Sequence, residues 1–519
     1  MPEDDPMPEI APERSPRDWR RGALLGVRLT AGVVSLAAAA AVVGAVGLVP
    51  LPTLGAVPDG IAVTPAPAEQ LRVCAGPALR LGDEQGNDAS VPTPVGSPRV
   101  TATALVGGET STAESAPLPS PASPGAAPEL LRLAPGADSY LAGAQGQSPS
   151  ARGFGGYLAS ACLEPGASSW LVGGSTTVGR TSLLSLVNPS EVEASVDLEI
   201  LSESGPVSAP GMDGIAVPAG GERVLSLAAF APGLASPVVH VTARGGAIVA
   251  TLQQTVVRGL DDGGTELVSP GAAPAERVVV PGVRLSAQAS TAALQGLEGW
   301  DDVVAVVRLA VPGDQAGRVR VAIASDVAGQ DATSFEVSVD AGRVVDLPLD
   351  SGFAAESGLA LADGDYTVTV DADVPVLAAV RASTSGDQPA APGPATGDDS
   401  PAFAAGEAPE SDLAWFASAE PLTDTTVVAV ADGPSPVLTL ANGGDAVARI
   451  TIDELGGPER TVEVAPGAFL ATSVLPGRGY RLAGAADVVA GVSFAAEGRL
   501  SGYPLVPVRP AAPPVLIRP

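Results

Sequence analysis

The 519-residue chain contains no lysine, one histidine and two cysteines, and aromatic residues make up only 3% of it. A single histidine leaves serine hydrolases and zinc sites short of bases and ligands. The scarcity of aromatic side chains argues against a surface that stacks on sugar rings. The sequence also lacks the G-x-S-x-G, H-E-x-x-H, phosphate-loop and dinucleotide-binding motifs. The composition therefore predicts a protein that is not an enzyme and holds no cofactor.

Acidic residues outnumber basic ones by 58 to 28, which gives a formal net charge of −30. A surface of this sign repels nucleic acid and other polyanions, so we expect no nucleic-acid partner. Every basic residue other than the histidine is arginine, and alanine, glycine, valine and proline are abundant. This bias is typical of a GC-rich bacterial genome.

Residues 29–50, LTAGVVSLAAAAAVVGAVGLVP, form a long run without charge. A bilayer core needs about 20 apolar residues in a helix. Arginines precede the run, and none follows until Arg72, so the positive-inside rule directs the N-terminus to the cytoplasm. The pattern predicts a cytoplasmic tail (1–28), a transmembrane anchor (29–50) and an extracellular remainder in a single-pass membrane protein. Secretion after signal cleavage is the alternative.

Cys74 and Cys162 are the two cysteines of the predicted extracellular part. An oxidising exterior permits a disulfide between them. Closing a loop of this size stabilises a fold by about 4–5 kcal/mol in the chain-entropy model. A nucleophilic cysteine would need a nearby base, and only His240 is available. The sequence therefore predicts a Cys74–Cys162 disulfide.

Low-complexity segments rich in proline divide the exterior part. Residues 51–70 are predicted to be a linker, followed by a disulfide-tied β region at 71–176. Within that region, 107–129 is predicted to be a disordered loop, and 384–411 is predicted to be a disordered linker.

An internal repeat organises the remaining sequence. Residues 183–200, 306–323 and 437–454 align without a gap, each as a strand, a short turn and a second alternating strand. About seven short strands in roughly 100 residues is typical of an immunoglobulin-like β-sandwich.

The sequence thus predicts an all-β protein with three tandem sandwich repeats in an elongated rod. A β-propeller is the alternative. The predicted repeats are residues 177–259, 277–383 and 412–508.

Few residues of the sequence are candidates for catalysis or for metal binding. His240 lies in VVHVTA and is expected on the solvent face of a strand. Two acidic turns carry carboxylates, which are the type of oxygen ligand that Ca²⁺ takes. These residues are Asp261, Asp262, Glu266, Asp363 and Asp365. Neither turn completes a known calcium-loop pattern, so no metal ligand is assigned.

The stretch around Cys162 resembles an actinobacterial family of envelope proteins of unknown function. The matching residues are Cys162, Pro165, Gly166, Trp170, Gly173 and Gly174, followed by Asn188–Pro189. Leu171 departs from the pattern, where a second aromatic residue is expected. The resemblance covers residues 20–508 and implies a membrane-tethered or secreted envelope protein without an assigned activity.

Three functions follow from these features, in order of preference. The first is a non-catalytic structural or interaction protein of the bacterial cell envelope, held in the bilayer by residues 29–50 and bound to an envelope protein. The second is a binding module for Ca²⁺ or a small ligand. The third is an envelope-glycan hydrolase that uses carboxylates.

Overall fold

A computed structural model describes the parts of the chain treated below. These are residues 61–63, 68–82, 91–118, 127–136, 138–295, 297, 299–328, 330, 332–349, 361–386, 408–508 and 515–517. The predicted tail at 1–28 and the predicted anchor at 29–50 lie outside them. Among the residues described, no helix is both long enough and apolar enough to cross a membrane.

The chain divides into two units, Met1–Val63 with Val515–Pro519, and Thr64–Pro514. In the first unit, strand β1 (Ile61–Val63) pairs antiparallel with strand β35 (Val515–Ile517). In the described part of the second unit, strands are joined by one α-helix, α1 (Gln288–Leu294), and one 3₁₀ turn (Leu227–Ala229). The all-β prediction is confirmed.

The N-terminal part of this unit contains two small sheets that pack against each other and a separate hairpin. We call it the N-terminal pair, and we use the word pair below for two sheets packed face to face. Its strands are β2 (Gln70–Cys74), β3 (Ala78–Leu81), β4 (Pro92–Val95), β5 (Arg99–Val106), β6 (Glu109–Ser111), β7 (Glu114–Pro117), β8 (Glu129–Leu133), β9 (Ser139–Gln147) and β10 (Leu158–Cys162). The order β2-β8-β7 faces β10-β9-β5-β6, and β3 pairs with β4. The predicted disordered loop at 107–129 is wrong in its first half, because β6 and β7 lie there and pair with β5 and β8.

The next two sheets enclose one apolar core and form pair A. Its strands are β11 (Ser168–Val172), β12 (Arg180–Asn188), β13 (Ala194–Ser202), β14 (Gly205–Val207), β15 (Ile215–Val217), β16 (Gly221–Ser226), β17 (Val238–Arg244), β18 (Val249–Arg258) and β19 (Asp261–Val268). The order β11-β17-β13, with β14 and β15 on β13, faces β16-β12-β18-β19.

Pair B is built around the 22-residue strand β25, which runs through both of its sheets. Its strands are β20 (Ala275–Leu285), β21 (Val306–Ala310), β22 (Gly317–Ser325), β23 (Thr333–Val339), β24 (Val344–Pro348), β25 (Gly364–Ser385) and β26 (Ser411–Ala417). The first half of β25 lies between β20 and β22, and its second half lies between β21 and β26.

Pair C repeats the same plan. Its strands are β27 (Thr425–Ala429), β28 (Val437–Asn442), β29 (Ala448–Glu454), β30 (Glu459–Val464), β31 (Phe469–Ser473), β32 (Gly479–Ala483), β33 (Val488–Ala496) and β34 (Arg499–Pro504). The order β27-β32-β29-β30 faces β31-β28-β33-β34. Taken in chain order, these positions match those of pairs A and B, except that pair A carries two short strands, β14 and β15, where pair C has β30, and β25 of pair B takes the places of both β32 and β33.

Period-two alternation explains why these sequences form strands with one buried face. In β13, Val196, Leu198 and Ile200 are buried in the core of pair A, whereas Asp197 and Glu199 point outward. A helix would scatter the same residues around its axis, so only a strand buries all three apolar side chains.

Pairs A and C also close their first turn in the same way. The side-chain amide of Asn188 donates to the carbonyls of Val192 and Val217 at 2.8 and 3.0 Å. Asn442 donates to Ala446 and Val464 at 2.7 and 2.9 Å. A buried asparagine thus donates to one carbonyl of the turn and to the carbonyl of the last residue of a neighbouring strand, β15 or β30.

The last strand of each pair lies at a common centre, which we call the central ring (β10, β19, β26 and β34). The N–H of Ala159 donates to Ser501 Oγ, which links β10 to β34, and Ser501 Oγ lies 2.9 Å from Glu266 Oε2 on β19. The N–H of Leu500 donates to Asp412 Oδ2 on β26. The expected end-to-end rod is therefore wrong: the pairs pack around the ring, since its strands are buried on both faces.

The predicted repeat boundaries need correction for the same reason. Strands β11 and β19 belong to pair A but lie outside 177–259, and β26 belongs to pair B but begins only at the last residue of the segment 384–411. That segment is therefore an insertion within pair B, and its described ends are buried strand residues, Thr384 and Ser385 on β25 and Ser411 on β26. Residues 387–407 lie outside the described residues.

Candidate functional site: a pocket at the end of the central ring

A pocket of about 340 Å³ lies where the four ring strands end. Its walls are formed by the residues that come directly after β10, β19 and β26 and by the end of β34 with the residues that follow it, and β11 forms one edge. Most of the lining is aliphatic or proline, including Leu163, Ile248, Pro270, Pro504, Leu505 and Val506. We call it the ring-end pocket. Concave apolar sites of this size with a few polar groups are the usual form of ligand sites.

The backbone of β11 faces this pocket at Ser168. The carbonyl of Ala167 accepts from Ala243 N–H on β17, and the carbonyl of Trp170 accepts from Gly271 N–H on the opposite side. Gly166 likewise exchanges two hydrogen bonds with Ile248. Because the direction of backbone groups alternates along a strand, the N–H and carbonyl of Ser168 point away from β17. Ser168 lines the pocket, so these two groups face it.

The side chain of Ser168 contacts the one histidine of the chain. Its Oγ lies 2.9 Å from His240 Nε2, and His240 Nδ1 lies 3.4 Å from Glu199 Oε2. The three residues come from the adjacent strands β11, β17 and β13, where Trp170 and Glu199 lie directly opposite His240. The Trp170 indole stacks on the imidazole with a centroid distance of 3.9 Å and an interplanar angle of 1°.

This arrangement orders a hydroxyl, an imidazole and a carboxylate. If Nδ1–H donates to Glu199, Nε2 is left as the acceptor for the Ser168 hydroxyl. That is the order in which a serine nucleophile, a general base and an orienting acid are arranged in acyl transfer. Sequence reasoning identified His240 but not Ser168 or Glu199, which lie 72 and 41 residues from it. No local motif joins residues that meet only through sheet pairing.

The disulfide lies next to the same region. Cys74 on β2 and Cys162 on β10 are bonded, and both are buried in the core between the two sheets of the N-terminal pair. Backbone bonds between Val73 and Leu163 continue this link, and Leu163 lines the ring-end pocket. The bond therefore ties one pocket wall to the first strand of the N-terminal pair.

The acidic turns do not form a calcium site among the residues described, which contain no cluster of three or more metal-binding side chains. Asp262 accepts from the N–H of Gly153, and Asp363 accepts from that of Gln288. Glu266 is fully buried in the central ring. Burial also raises the pKa of Asp365, which lies 3.9 Å from Arg284.

Two carboxyl groups in the central ring have unusual environments. Burial, and secondly the nearby charge of Asp412, raise the pKa of Glu266 well above its ordinary value. Burial also raises the pKa of Asp412, although backbone N–H groups donated by Leu500, Tyr157 and Leu413 oppose this effect. Both carboxyls therefore hold a proton more strongly than exposed ones do.

Comparison with known protein families assigns the sequence to one of them. A family of unknown function, DUF5719, matches residues 106–475, which is most of the chain. The chain belongs to this family. Membership of DUF5719 agrees with the resemblance to an uncharacterised family, and it assigns no activity.

Comparison with individual proteins adds little. No curated protein matches the chain. Among solved structures, a crystal structure of Thermotoga maritima 1070 is similar, with 16% identity over 21% of this chain and 79% of that chain and a TM-score of 0.16. A likeness at this level carries no argument about fold or function.

Proposed function

We propose that this DUF5719 member is a membrane-tethered, extracytoplasmic structural and interaction protein of the bacterial cell envelope, and that it binds an envelope protein through the ring-end pocket. The observation that carries the proposal is the packing of the sheet pairs around one buried ring, with an apolar pocket at its end. Such a body offers rigid surfaces on several sides, and this role needs no catalytic step.

Two features, one of the sequence and one of the structure, support the proposed location. Residues 29–50 provide the single membrane span, residues 1–28 remain in the cytoplasm, and the rest is extracellular. A buried Cys74–Cys162 bond supports this location, because disulfides form and persist in oxidising compartments. The acidic net charge of −30 favours a partner with a neutral or basic surface.

The finer assignment of the fold belongs to the same proposal. Pairs A and B each bury a core between two antiparallel sheets, and the core between the sheets of pair C continues into the N-terminal pair. Packing of sheet on sheet supports an immunoglobulin-like sandwich over a propeller blade. The Cys162-to-Trp170 pattern and the arginine-only basic residues support an actinobacterial envelope origin.

In-cell cross-linking of the full-length protein with a C-terminal tag, followed by mass spectrometry, tests the partner. We expect one membrane or envelope protein to be recovered reproducibly. Val506 lines the pocket and is 38% exposed, whereas Val447 is exposed at 57% in pair C and does not line it. Val506→Asp should reduce the cross-linked product, and Val447→Asp should not.

Two results would contradict the proposal. Recovery of no protein other than the chain itself would show that the proposed partner does not exist. Equal yields of the cross-linked product from both valine variants would show that the partner binds at a surface other than the pocket. Location is tested separately: carbonate extraction should leave the chain in the membrane fraction, and protease added outside should remove the tag.

A further inference from the structure

The ring-end pocket and the Ser168 side chain together indicate an activity beyond the proposed function. We propose that Ser168 is a nucleophile for acyl transfer, with His240 as its general base and Glu199 as the positioning residue, and that its substrates are neutral esters of short aliphatic acids. This departs from the non-catalytic expectation, which rested on a single histidine and on the lack of the common catalytic motifs.

Geometry is the first support. The Ser168 Oγ to His240 Nε2 distance of 2.9 Å lies within the range required of a nucleophile and its base. The imidazole is held from two sides, by the stacked Trp170 ring and by Glu199. Its side chain is only 19% exposed, so Nε2 has few orientations other than toward Ser168.

Backbone direction is the second support. The N–H of Ser168 points into the pocket, where it can donate to the oxygen of a carbonyl whose carbon is attacked by Oγ of the same residue. The backbone N–H of the nucleophile itself serves as such a donor in known serine enzymes. One preorganised donor of this kind contributes a factor of about 10²–10³ to the rate.

The reaction needs only an ester and water. Ser168 Oγ forms a bond to the carbonyl carbon as its proton passes to His240 Nε2, and the carbonyl electron pair moves onto oxygen. That pair then returns, the bond to the alcohol oxygen breaks, and the Nε2 proton passes to the leaving alcohol. Water repeats both steps on the acyl-serine, giving the free acid and restoring Ser168.

The pocket selects the substrate class. Its aliphatic and proline walls suit a hydrocarbon acyl group, and about 340 Å³ limits that group to a short chain. Glu164 and Glu420 lie at the lining, and the whole chain carries a net charge of −30. Anionic substrates are therefore disfavoured, and the carboxylate product is repelled after release.

A fluorophosphonate probe on the full chain tests the nucleophile. We expect the label on Ser168, located by peptide mass spectrometry, and no label in Ser168→Ala. His240→Gln should slow labelling by about 100-fold or more. Ser169→Ala is the matched control, because Ser169 also lines the pocket but does not contact His240, and its labelling rate should equal that of the native chain.

Turnover of p-nitrophenyl acetate, butyrate and octanoate tests the substrate class. Acetate and butyrate should be hydrolysed, octanoate should be slower, and Ser168→Ala should abolish all three activities. Glu199→Gln should lower kcat and leave KM unchanged, and Glu199→Asp should restore part of the rate. Ser168 and Glu199 are exposed, so these variants should keep the native melting temperature.

Three outcomes would overturn the proposal. One is labelling of Ser168 no faster in the folded chain than in urea. Another is an unchanged labelling rate in His240→Gln. The third is labelling of Ser168 without turnover of any of the three esters.

Discussion

Glu266 on β19 and Asp412 on β26 are neighbouring carboxyl groups at the centre of the molecule, with 0% and 1% of their surfaces exposed. Ser501 and backbone N–H groups bond to them, and their pKa values are raised by burial. Two adjacent carboxylates in a dry site repel each other, so the pair retains a proton where exposed carboxyls are ionised. Folding of the central ring is therefore linked to proton binding.

Stability should fall as pH rises, because these pKa values are higher in the folded chain than in the unfolded one. Above about pH 4.5 the unfolded Glu266 releases its proton while the folded one holds it, so each such group costs up to about 1.4 kcal/mol per pH unit. Glu266→Gln does not titrate. Its free energy of unfolding should decline less between pH 4.5 and pH 7.5, measured by urea denaturation.

Glu222 serves as the control for the titration of Glu266. Burial raises its pKa too, but it lies on β16 of pair A and is bonded to Ser185. Glu222→Gln should therefore leave the steeper slope of the central pair in place. Curves for Glu266→Gln and the native chain that run parallel over this range would show that the pair does not hold the linked proton.

Gly264 allows the close contact between β19 and β26. Its φ is +105°, and a Cβ there would lie 2.5 Å from Asp412 Oδ1 and 2.8 Å from its Cα. Gly205 has a similar φ of +113° with nothing within 4 Å. Both alanine variants carry backbone strain, of order 1–3 kcal/mol, but only Gly264→Ala also displaces Asp412.

Gly264→Ala should therefore lower the free energy of unfolding by at least about 2 kcal/mol more than Gly205→Ala, in the range of an overpacked core. Guanidinium denaturation of the two variants under the same conditions measures the difference. Equal losses would mean that the ring accommodates the extra methyl group without cost.

The strands were predictable because their information is local. Alternation in β13 and the turn residues Asn188 and Gly245 act within a few residues, and each favours one local conformation. The two cysteines also had one possible partner each. These features required no knowledge of how the sheet pairs pack.

The arrangement of the pairs was not predictable in the same way. The ring depends on contacts between strands such as β10 and β34, whose bonded residues Ala159 and Ser501 are separated by 342 positions. The low-complexity composition of 384–411 concealed that β26 completes pair B after it. Ser168 and Glu199 look like ordinary outward residues, and only sheet register brings them to His240.

Arg308 connects pairs A and B, and its replacement should lower the free energy of unfolding strongly. It is fully buried, pairs with Asp346 at 2.7 Å, stacks over Trp415 at 4.4 Å and donates to the carbonyls of Gly174 and Pro237. Arg308→Met would leave the partly buried Asp346 carboxylate with Ser236 as a donor but without its cation, and would leave several carbonyls without this donor. We expect a loss of about 3–5 kcal/mol in denaturant unfolding, whereas Arg318→Ala, on the exposed side of β22, should cost less than about 0.5 kcal/mol.

The pH dependence of this loss distinguishes the ion pair from packing. Burial alone would raise the pKa of Asp346, but Arg308 outweighs it and holds that pKa below its ordinary value. The contribution of the pair is thus present above the unfolded pKa of about 3.9 and is lost as pH falls through the lower folded value. The deficit of Arg308→Met should shrink toward pH 3, and a constant deficit would assign it to packing.

The Cys74–Cys162 bond should stabilise the N-terminal pair because it lowers the conformational entropy of the unfolded chain. It joins β2 in one sheet to β10 in the other and closes a loop of 88 residues, for which chain entropy gives about 4–5 kcal/mol. Replacement of both cysteines by alanine removes the bond without leaving a free thiol. The double variant should lose about 2–5 kcal/mol in guanidinium unfolding, measured without reductant.

Reductant provides the matched control for the disulfide. Both cysteines are buried, at 0% and 4% exposure, so dithiothreitol should act on the native chain mainly once it has unfolded. Native and double-variant chains should therefore unfold at similar denaturant concentrations when reductant is present, because both then unfold to an open chain. A double variant as stable as the oxidised native chain would show that the non-covalent contacts of β2 and β10 suffice to hold this wall of the ring-end pocket.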